Sequence, residues 1–141
     1  MELFHVLNRG VDKRTIFLDH QDHMRFVHGL EVFNDKSPTE NLLYFLSKSK
    51  NIDLRGRYDT PEKRDPLVQI HGWCLMRNHY HLLLSEIIDR GITKFLMKLN
   101  VGYAKYFNQK YKRVGTLFQG RTKRCRLQLM PIFCIFCIIF T

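Results

Sequence analysis

The sequence has no acidic residue after Asp89. Over the whole chain, 23 lysines and arginines outnumber 13 aspartates and glutamates, for a formal net charge of +10. A segment with bases and no interspersed acids indicates a polyanionic partner, with nucleic acid the first candidate and an anionic membrane surface the second. The alternative is a solvated helix face with counterions. The basic residues of this segment are Arg90, Lys94, Lys98, Lys105, Lys110, Lys112, Arg113, Arg121, Lys123, Arg124 and Arg126.

The four cysteines, Cys74, Cys125, Cys134 and Cys137, lack the spacing of a disulfide framework. Cys134 and Cys137 form an isolated C-x-x-C pair, without the second ligand pair or strand-helix context that a zinc or redox site needs. The stretch MELFHVLNRG also lacks the charged and apolar regions of a signal peptide. We therefore expect a cytoplasmic chain with reduced thiols.

Long apolar runs are missing as well. The run IFCIFCIIF has nine residues, less than half of what a helix needs to span a bilayer, so we expect no membrane-spanning anchor. Of the two polyanionic candidates, DNA is the expected partner and a membrane is not. If exposed, this run is β-prone and uncharged, which predicts low solubility. Translation in a shifted reading frame can produce such a tail; the structural alternative is an edge strand or a cap over an open sheet face.

The hydrophobic patterns predict elements in the order β, α, β, β, α, β. Alternation predicts a strand over residues 2–8, and LVQIHGWCLM and HYHLLLSE predict two strands joined by a turn at Arg77 and Asn78. Helical spacing follows an N-cap at Asp19 and recurs from residue 91 to near Gly115, and TLFQGRTKRCRL predicts a last strand. This order is typical of an α+β, ferredoxin-like fold, an antiparallel sheet with both helices on one face.

A length of 141 residues suits one domain. We expect this domain to cover residues 1–127, with a loop insertion at 34–66 because RGRYDTPEKRDP is charged and broken by proline. Within the insertion, residues 40–50 predict a short helix. Residues 128–141 then form an atypical apolar tail.

The stretch MRNHYHLLL places two histidines one residue apart inside an apolar run. Because strand side chains alternate, His79 and His81 project to one face of the sheet. Tyr80, Leu82 and Leu84 project to the other face, where the helices pack. Two neutral imidazoles at this spacing can reach one metal ion, whereas the alternative is two polar residues on a solvated face.

Three blocks resemble the REP-associated tyrosine transposases and the wider group of single-tyrosine HUH transposases. They are FHVLNRGVDKRTIFLDHQDHMRFVHGL, HGWCLMRNHYHLLLSE and KLNVGYAKYFNQKYKRVGTLFQGR, and they span roughly residues 4–121. The resemblance implies a ferredoxin-like fold, His79 and His81 as ligands of Mg²⁺ or Mn²⁺, and single-stranded DNA with a nearby hairpin as substrate. It also implies DNA strand cleavage and transfer, in which a tyrosine attacks the metal-polarised phosphate and is joined to the 5′ side.

The family's nucleophile segment is missing after Arg121. In the family, a helix carries the tyrosine and an amide-type metal ligand in the form tyrosine, isoleucine, two residues, asparagine, proline. This chain continues instead as TKRCRLQLMPIFCIFCIIFT and looks like a truncated or frameshifted copy. We assign no catalytic residue. The fallback is Tyr103, although Tyr103 and Tyr106 lie on the apolar stripe of their helix and Tyr111 is predicted to face solvent.

Two other function classes stay open. A non-catalytic DNA- or RNA-binding module would keep the basic face without the nucleophile. A relaxase or replication initiator would share the histidine motif but not the other two blocks. We expect a monomer or a homodimer.

The remaining site residues are predicted from position and charge. Arg9 and Asn8 follow the first strand, where Arg9 contacts phosphate or the pair stabilises the turn. His5 either completes the metal site or is a plain sheet-face histidine, and Trp73 is predicted to fill the core rather than stack on a base. The predicted DNA contacts are Arg9, Lys98, Lys105, Arg121, Lys123 and Arg124.

Overall fold

The computed structural model describes residues 1–37 and 64–127. These residues form four strands, two α-helices and one short 3-10 helix. In chain order the elements are β1 (Leu3–Arg9), the 3-10 helix (Val11–Lys13), α1 (His20–Val32), β2 (Val68–Met76), β3 (His79–Glu86), α2 (Gly91–Lys110) and β4 (Lys123–Leu127).

Local sequence signals account for two of the element boundaries. The Asp19 side chain caps α1 by accepting a hydrogen bond from the backbone N–H of Asp22 at 2.9 Å. The β2-β3 turn falls at residues 77 and 78, as predicted. The last strand is shorter than the predicted segment because Leu117 and Phe118, which precede it, are buried in the core as part of a loop.

The strands form one sheet in the order β2-β3-β1-β4. Each neighbouring pair is antiparallel. With the element order β, α, β, β, α, β, this is the ferredoxin-like strand order, and the predicted α+β fold is confirmed.

One face of the sheet builds the hydrophobic core with the helices. Val6, Tyr80 and Leu82 from the strands are buried together with Phe26 of α1 and Leu99 of α2. The prediction that Tyr80 and Leu82 face the helices is therefore confirmed. Because side chains alternate along a strand, the histidines of β3 lie on the opposite face, which the helices leave uncovered.

A buried carboxylate joins the two helices. Asp22 of α1 is fully buried, at 0% exposure. It accepts hydrogen bonds from three side chains at the end of α2: Tyr106 (2.9 Å), Lys110 (2.9 Å) and Tyr111 (2.6 Å). Burial alone would raise the pKa of Asp22, but its hydrogen bonds outweigh that effect and hold the pKa below its usual value. Tyr111 is predicted to face solvent, but its hydroxyl donates to this carboxylate. A buried negative charge is stable only when several hydrogen-bond donors surround it.

Some predictions concern residues outside the described part of the chain. The short helix at 40–50, most of the insertion at 34–66 and the tail at 128–141 belong to this group. The domain boundary at residue 127 accordingly stays a prediction. Neither helix within residues 1–37 and 64–127 has the length and apolar character to cross a membrane.

Candidate metal and nucleic-acid interface

A pocket of about 280 Å³ opens on the uncovered face of the sheet. It lies where β1 ends and where β3 and β4 begin. Its lining includes both histidines of the motif and three cationic residues. The lining residues are Leu7, Asn8, Arg9, Asn78, His79, His81, Gln119, Arg121 and Lys123.

The strand register explains why these residues meet. His79 pairs with Arg9 across β3 and β1, and His81 pairs with Leu7. Leu7 pairs in turn with Lys123 of β4. Directly paired residues of antiparallel strands project to the same face, and so do residues two apart in one strand. The two imidazoles, Arg9 and Lys123 therefore lie on one surface.

His79 is oriented by the residue before it. Its Nδ1 lies 2.6 Å from the Oδ1 of Asn78, and the Nδ2 of Asn78 donates to the backbone carbonyl of Lys13 at 3.3 Å. This second bond turns the Oδ1 of Asn78 toward the ring. The hydrogen-bond network therefore assigns the ring proton to Nδ1, which leaves Nε2 of His79 as an acceptor.

His81 is paired with a third histidine. The Nδ1 of His81 lies 2.9 Å from the Nε2 of His5 on β1, and the two rings are stacked with centroids 5.1 Å apart. His5 therefore lies on the face predicted for it. It is not among the described residues that line the pocket. His5 pairs with Leu83, two residues along β3 from His81 and farther from the end of β1 where the pocket opens.

The imidazoles of this cluster are neutral near pH 7. Burial, followed by the neighbouring His5 and His79, lowers the pKa of His81 to about 4. Burial and the charge of Arg9 lower the pKa of His79, and burial lowers the pKa of His5. Neutral imidazoles keep a nitrogen lone pair, which is the form that binds a metal ion.

The donor set fits a divalent cation that needs few protein ligands. The rings of His79 and His81 are edge to face, with centroids 4.9 Å apart. Within the described residues, no group of three or more His, Cys, Asp and Glu side chains is arranged to hold a metal ion. The two imidazoles are therefore the candidate metal ligands among the described His, Cys, Asp and Glu side chains. Mg²⁺ retains water and takes substrate phosphate oxygens as ligands, so it needs few protein ligands, whereas imidazole nitrogen is the donor that transition-metal ions prefer.

The structure divides the predicted DNA contacts into two groups, the first in the pocket and the second on the core side of the sheet. Arg9, Arg121 and Lys123 line the pocket. Arg124 pairs with Val6 on the core side of the sheet, and its guanidinium lies over the ring of Phe4 at 4.1 Å. Since Lys123 and Arg124 are adjacent in a strand, they necessarily point to opposite faces.

Lys98 and Lys105 belong to the second group. Both lie on α2, which covers the core face of the sheet. Lys98 donates to the backbone carbonyls of Asp35 and Ser37, and Lys105 is exposed. The sequence reveals their charge but does not reveal that the sheet separates them from the histidines.

The structure does not bring Tyr103 to the histidines. It is 2% exposed, and its hydroxyl donates to the backbone carbonyl of Ile16. Burial and the negative charge of Asp22 raise its pKa well above the usual value, which makes it a poor nucleophile. The hydroxyls of the other described tyrosines are bonded to Asn100 or to Asp22 on the core side: Tyr80, Tyr106 and Tyr111.

Sequence reasoning missed two polar pocket residues and misplaced one aromatic residue. The sequence pattern places Asn78 in the turn and predicts no site role for it, although its position directly before the first histidine is a usable signal. Gln119 belongs to the FQGR stretch, and a lone glutamine there does not by itself indicate a pocket residue. Trp73, predicted to fill the core, is 49% exposed on the outer strand β2, where a neighbouring strand is present on one side only.

Part of the chain matches a known protein family, and its fold is similar to that of a solved structure. The model of a transposase family described as IS200-like matches residues 62–123, which include both histidines. No curated protein matches the sequence. Among solved structures, a REP-associated tyrosine transposase bound to a REP hairpin is similar with a TM-score of 0.51 and 9% identity. That match covers 96% of this chain but only 61% of the other, and at this identity it speaks for the fold alone. Together, the family match over residues 62–123 and the shared fold confirm the transposase resemblance predicted from the sequence.

Proposed function

We propose that the protein is a transposase-like protein that binds single-stranded or hairpin DNA at the open sheet face, together with a divalent cation. The observation that carries the proposal is the meeting of His79 and His81 with three cationic residues in one pocket. The resemblance to single-tyrosine HUH transposases implies a divalent metal, and the similar REP-associated transposase is bound to a hairpin. Both facts support the proposal.

The cations are assigned to the DNA backbone. Arg9, Arg121 and Lys123 have no salt-bridge partner among the described residues, so their charges are available to phosphates. Arginine donates to phosphate oxygens in a bidentate manner, whereas lysine acts as a point charge. These contacts hold a strand in the pocket without reading its sequence.

The histidines are assigned to Mg²⁺ or Mn²⁺. Bound there, the cation would polarise a phosphate and stabilise negative charge on its oxygens. His79 and His81 hold their ring nitrogens in place, and the adjacent cations keep the phosphate nearby. In the family, an amide-type ligand comes from the nucleophile segment that this chain lacks. Gln119, which lines the same pocket, is a candidate to replace it.

Strand cleavage is the ancestral chemistry in this proposal, and a non-catalytic binding module is the second candidate. One observation favours the second: the four tyrosines of the described residues all point to the core side.

An adduct assay distinguishes the two candidates. A labelled REP-type hairpin is incubated with the protein and Mn²⁺, and the mixture is then run on a denaturing gel. A covalent protein-DNA adduct establishes cleavage, whereas a shift on a native gel without an adduct establishes binding alone.

A charge-matched pair of variants tests the location of the DNA site. Lys123→Gln should weaken binding to single-stranded DNA several-fold and reduce the slope of log affinity against log salt by about 0.7, the value for one phosphate contact. Lys105→Gln removes the same charge from the exposed surface of α2 and should leave both quantities unchanged. Fluorescence anisotropy at several salt concentrations measures them. An equal loss in the two variants would show that binding follows net charge and would refute this site.

A further inference from the structure

The bond between His5 and His81 contains one proton, and its position decides what His81 can bind. The two nitrogens, Nε2 of His5 and Nδ1 of His81, are 2.9 Å apart. A neutral imidazole carries one N–H, so one ring donates and the other accepts. If His81 donates from Nδ1, its Nε2 has a lone pair. If His5 donates from Nε2, the proton of His81 resides on Nε2 and blocks that nitrogen.

The two pocket histidines have analogous partners. At His79, the amide oxygen of Asn78 accepts from Nδ1 and leaves Nε2 with its lone pair. At His81, Nδ1 is likewise occupied, in this case by Nε2 of His5. In both rings, therefore, Nε2 is the nitrogen that remains for a ligand, and a partner on Nδ1 determines whether Nε2 bears a proton.

We propose that His5 is a positioning residue: it accepts a hydrogen bond from Nδ1 of His81 and thereby keeps Nε2 of His81 available to a divalent cation. This inference rests on the proposed metal site, and it assigns His5 a role other than the third ligand. Two observations support it. The Nε2 of His5 is occupied by His81, and His5 does not line the pocket in the described part of the chain. The stacked rings, inclined by only 10°, also restrict rotation of His81.

Two substitutions at position 5 separate hydrogen bonding from packing. His5→Phe keeps a flat ring against His81 but removes the acceptor, and His5→Gln returns an acceptor without the ring. We expect Mn²⁺ affinity, measured by the EPR signal of free Mn²⁺, to fall 10- to 100-fold in His5→Phe and to recover to within about threefold of wild type in His5→Gln. Circular dichroism checks that both variants are folded.

A second readout follows the proton directly in the cation-free protein. In ¹⁵N NMR spectra, the Nε2 of His81 should have the shift of an unprotonated nitrogen in the wild type and in His5→Gln, and of a protonated one in His5→Phe. Unchanged spectra and unchanged affinity in His5→Phe would overturn the inference. Hyperfine coupling of Mn²⁺ to three histidine nitrogens instead of two would also overturn it, since His5 would then be a ligand.

The outcomes distinguish this inference from the proposed function. If wild type and His81→Ala both fail to bind Mn²⁺, the metal site itself is refuted, and the role of His5 toward it is refuted with it. If wild type binds Mn²⁺, His81→Ala does not, and His5→Phe binds as well as wild type, only the positioning role fails.

Discussion

His79 and His81 are partly buried, and both imidazoles are neutral near pH 7. Burial is the main cause of the lowered pKa in both rings, and Arg9 adds to it at His79. The cationic side chains of the pocket would also repel a divalent cation unless the ring nitrogens coordinate it directly. Cation binding and phosphate binding therefore depend on different side chains, although they occur in one pocket.

Substitution of one histidine should separate the two activities. His79→Ala is expected to abolish Mn²⁺ binding, because a single imidazole remains, while DNA affinity in the absence of divalent cation stays within about twofold of wild type. Titration calorimetry with Mn²⁺ and anisotropy with single-stranded DNA measure the two effects.

His20→Ala is the matched control. His20 is exposed at the start of α1, away from the pocket, and its loss should affect neither measurement. A parallel loss of DNA and Mn²⁺ binding in His79→Ala would contradict the division of roles.

At the scale of elements, the contact between α1 and α2 depends on a polar anchor within an apolar interface. Phe26 and Leu99 contribute buried apolar surface, and Asp22 adds a carboxylate whose oxygens are saturated by donors from α2 and from the Leu18 backbone. A buried carboxylate without such donors would be strongly unfavourable. The anchor also holds Tyr106 and Tyr111 on the core side, which is why neither reaches the pocket.

Removing the charge of Asp22 should destabilise the fold. Asp22→Asn loses the attraction to Lys110 and places amide protons against hydroxyl and ammonium donors, so we expect the free energy of unfolding to drop by about 3 kcal/mol. Urea denaturation followed by circular dichroism measures it. The control is Asp65→Asn, which removes an exposed ion pair with Lys36 and should cost less than about 1 kcal/mol. Equal effects would show that Asp22 is not an anchor.

For the whole molecule, the lowered histidine pKa values predict how stability depends on pH. In the cation-free protein, His81 has a pKa of about 4 in the folded state against 6.5 for an unperturbed histidine. Between these values the unfolded chain binds more protons, so the free energy of unfolding should decrease as the pH falls from about 6.5 to about 4. His5, His79 and His28, whose pKa values are also lowered, act in the same direction.

Urea denaturation at pH 7.5 and pH 4.5 tests this dependence. His81→Asn should reduce the difference between the two conditions, because it removes the group with the largest lowering of pKa in this cluster. A wild type that is equally stable at both pH values would contradict the burial of the histidines.

The fold was predictable because its signals are local and regular. Alternation in β1 and β3, the Asp19 cap and the apolar stripe of α2 each follow from chemistry within a few residues. Element order then restricts the topology of so short a chain to few arrangements. The long-range bond between Asp22 and Tyr111 had no such signal, because partners 89 residues apart are chosen by packing.

The sequence by itself determined that two imidazoles share one strand face and that a basic segment accompanies them. Only the tertiary structure decided which cations join them, because strand register and sheet side depend on contacts between distant segments. That is how Lys123 came to the pocket while its neighbour Arg124 was placed against Phe4. The same long-range pairing of β1 with β3 brought His5 to His81, an association that neither residue's neighbours in the chain encode.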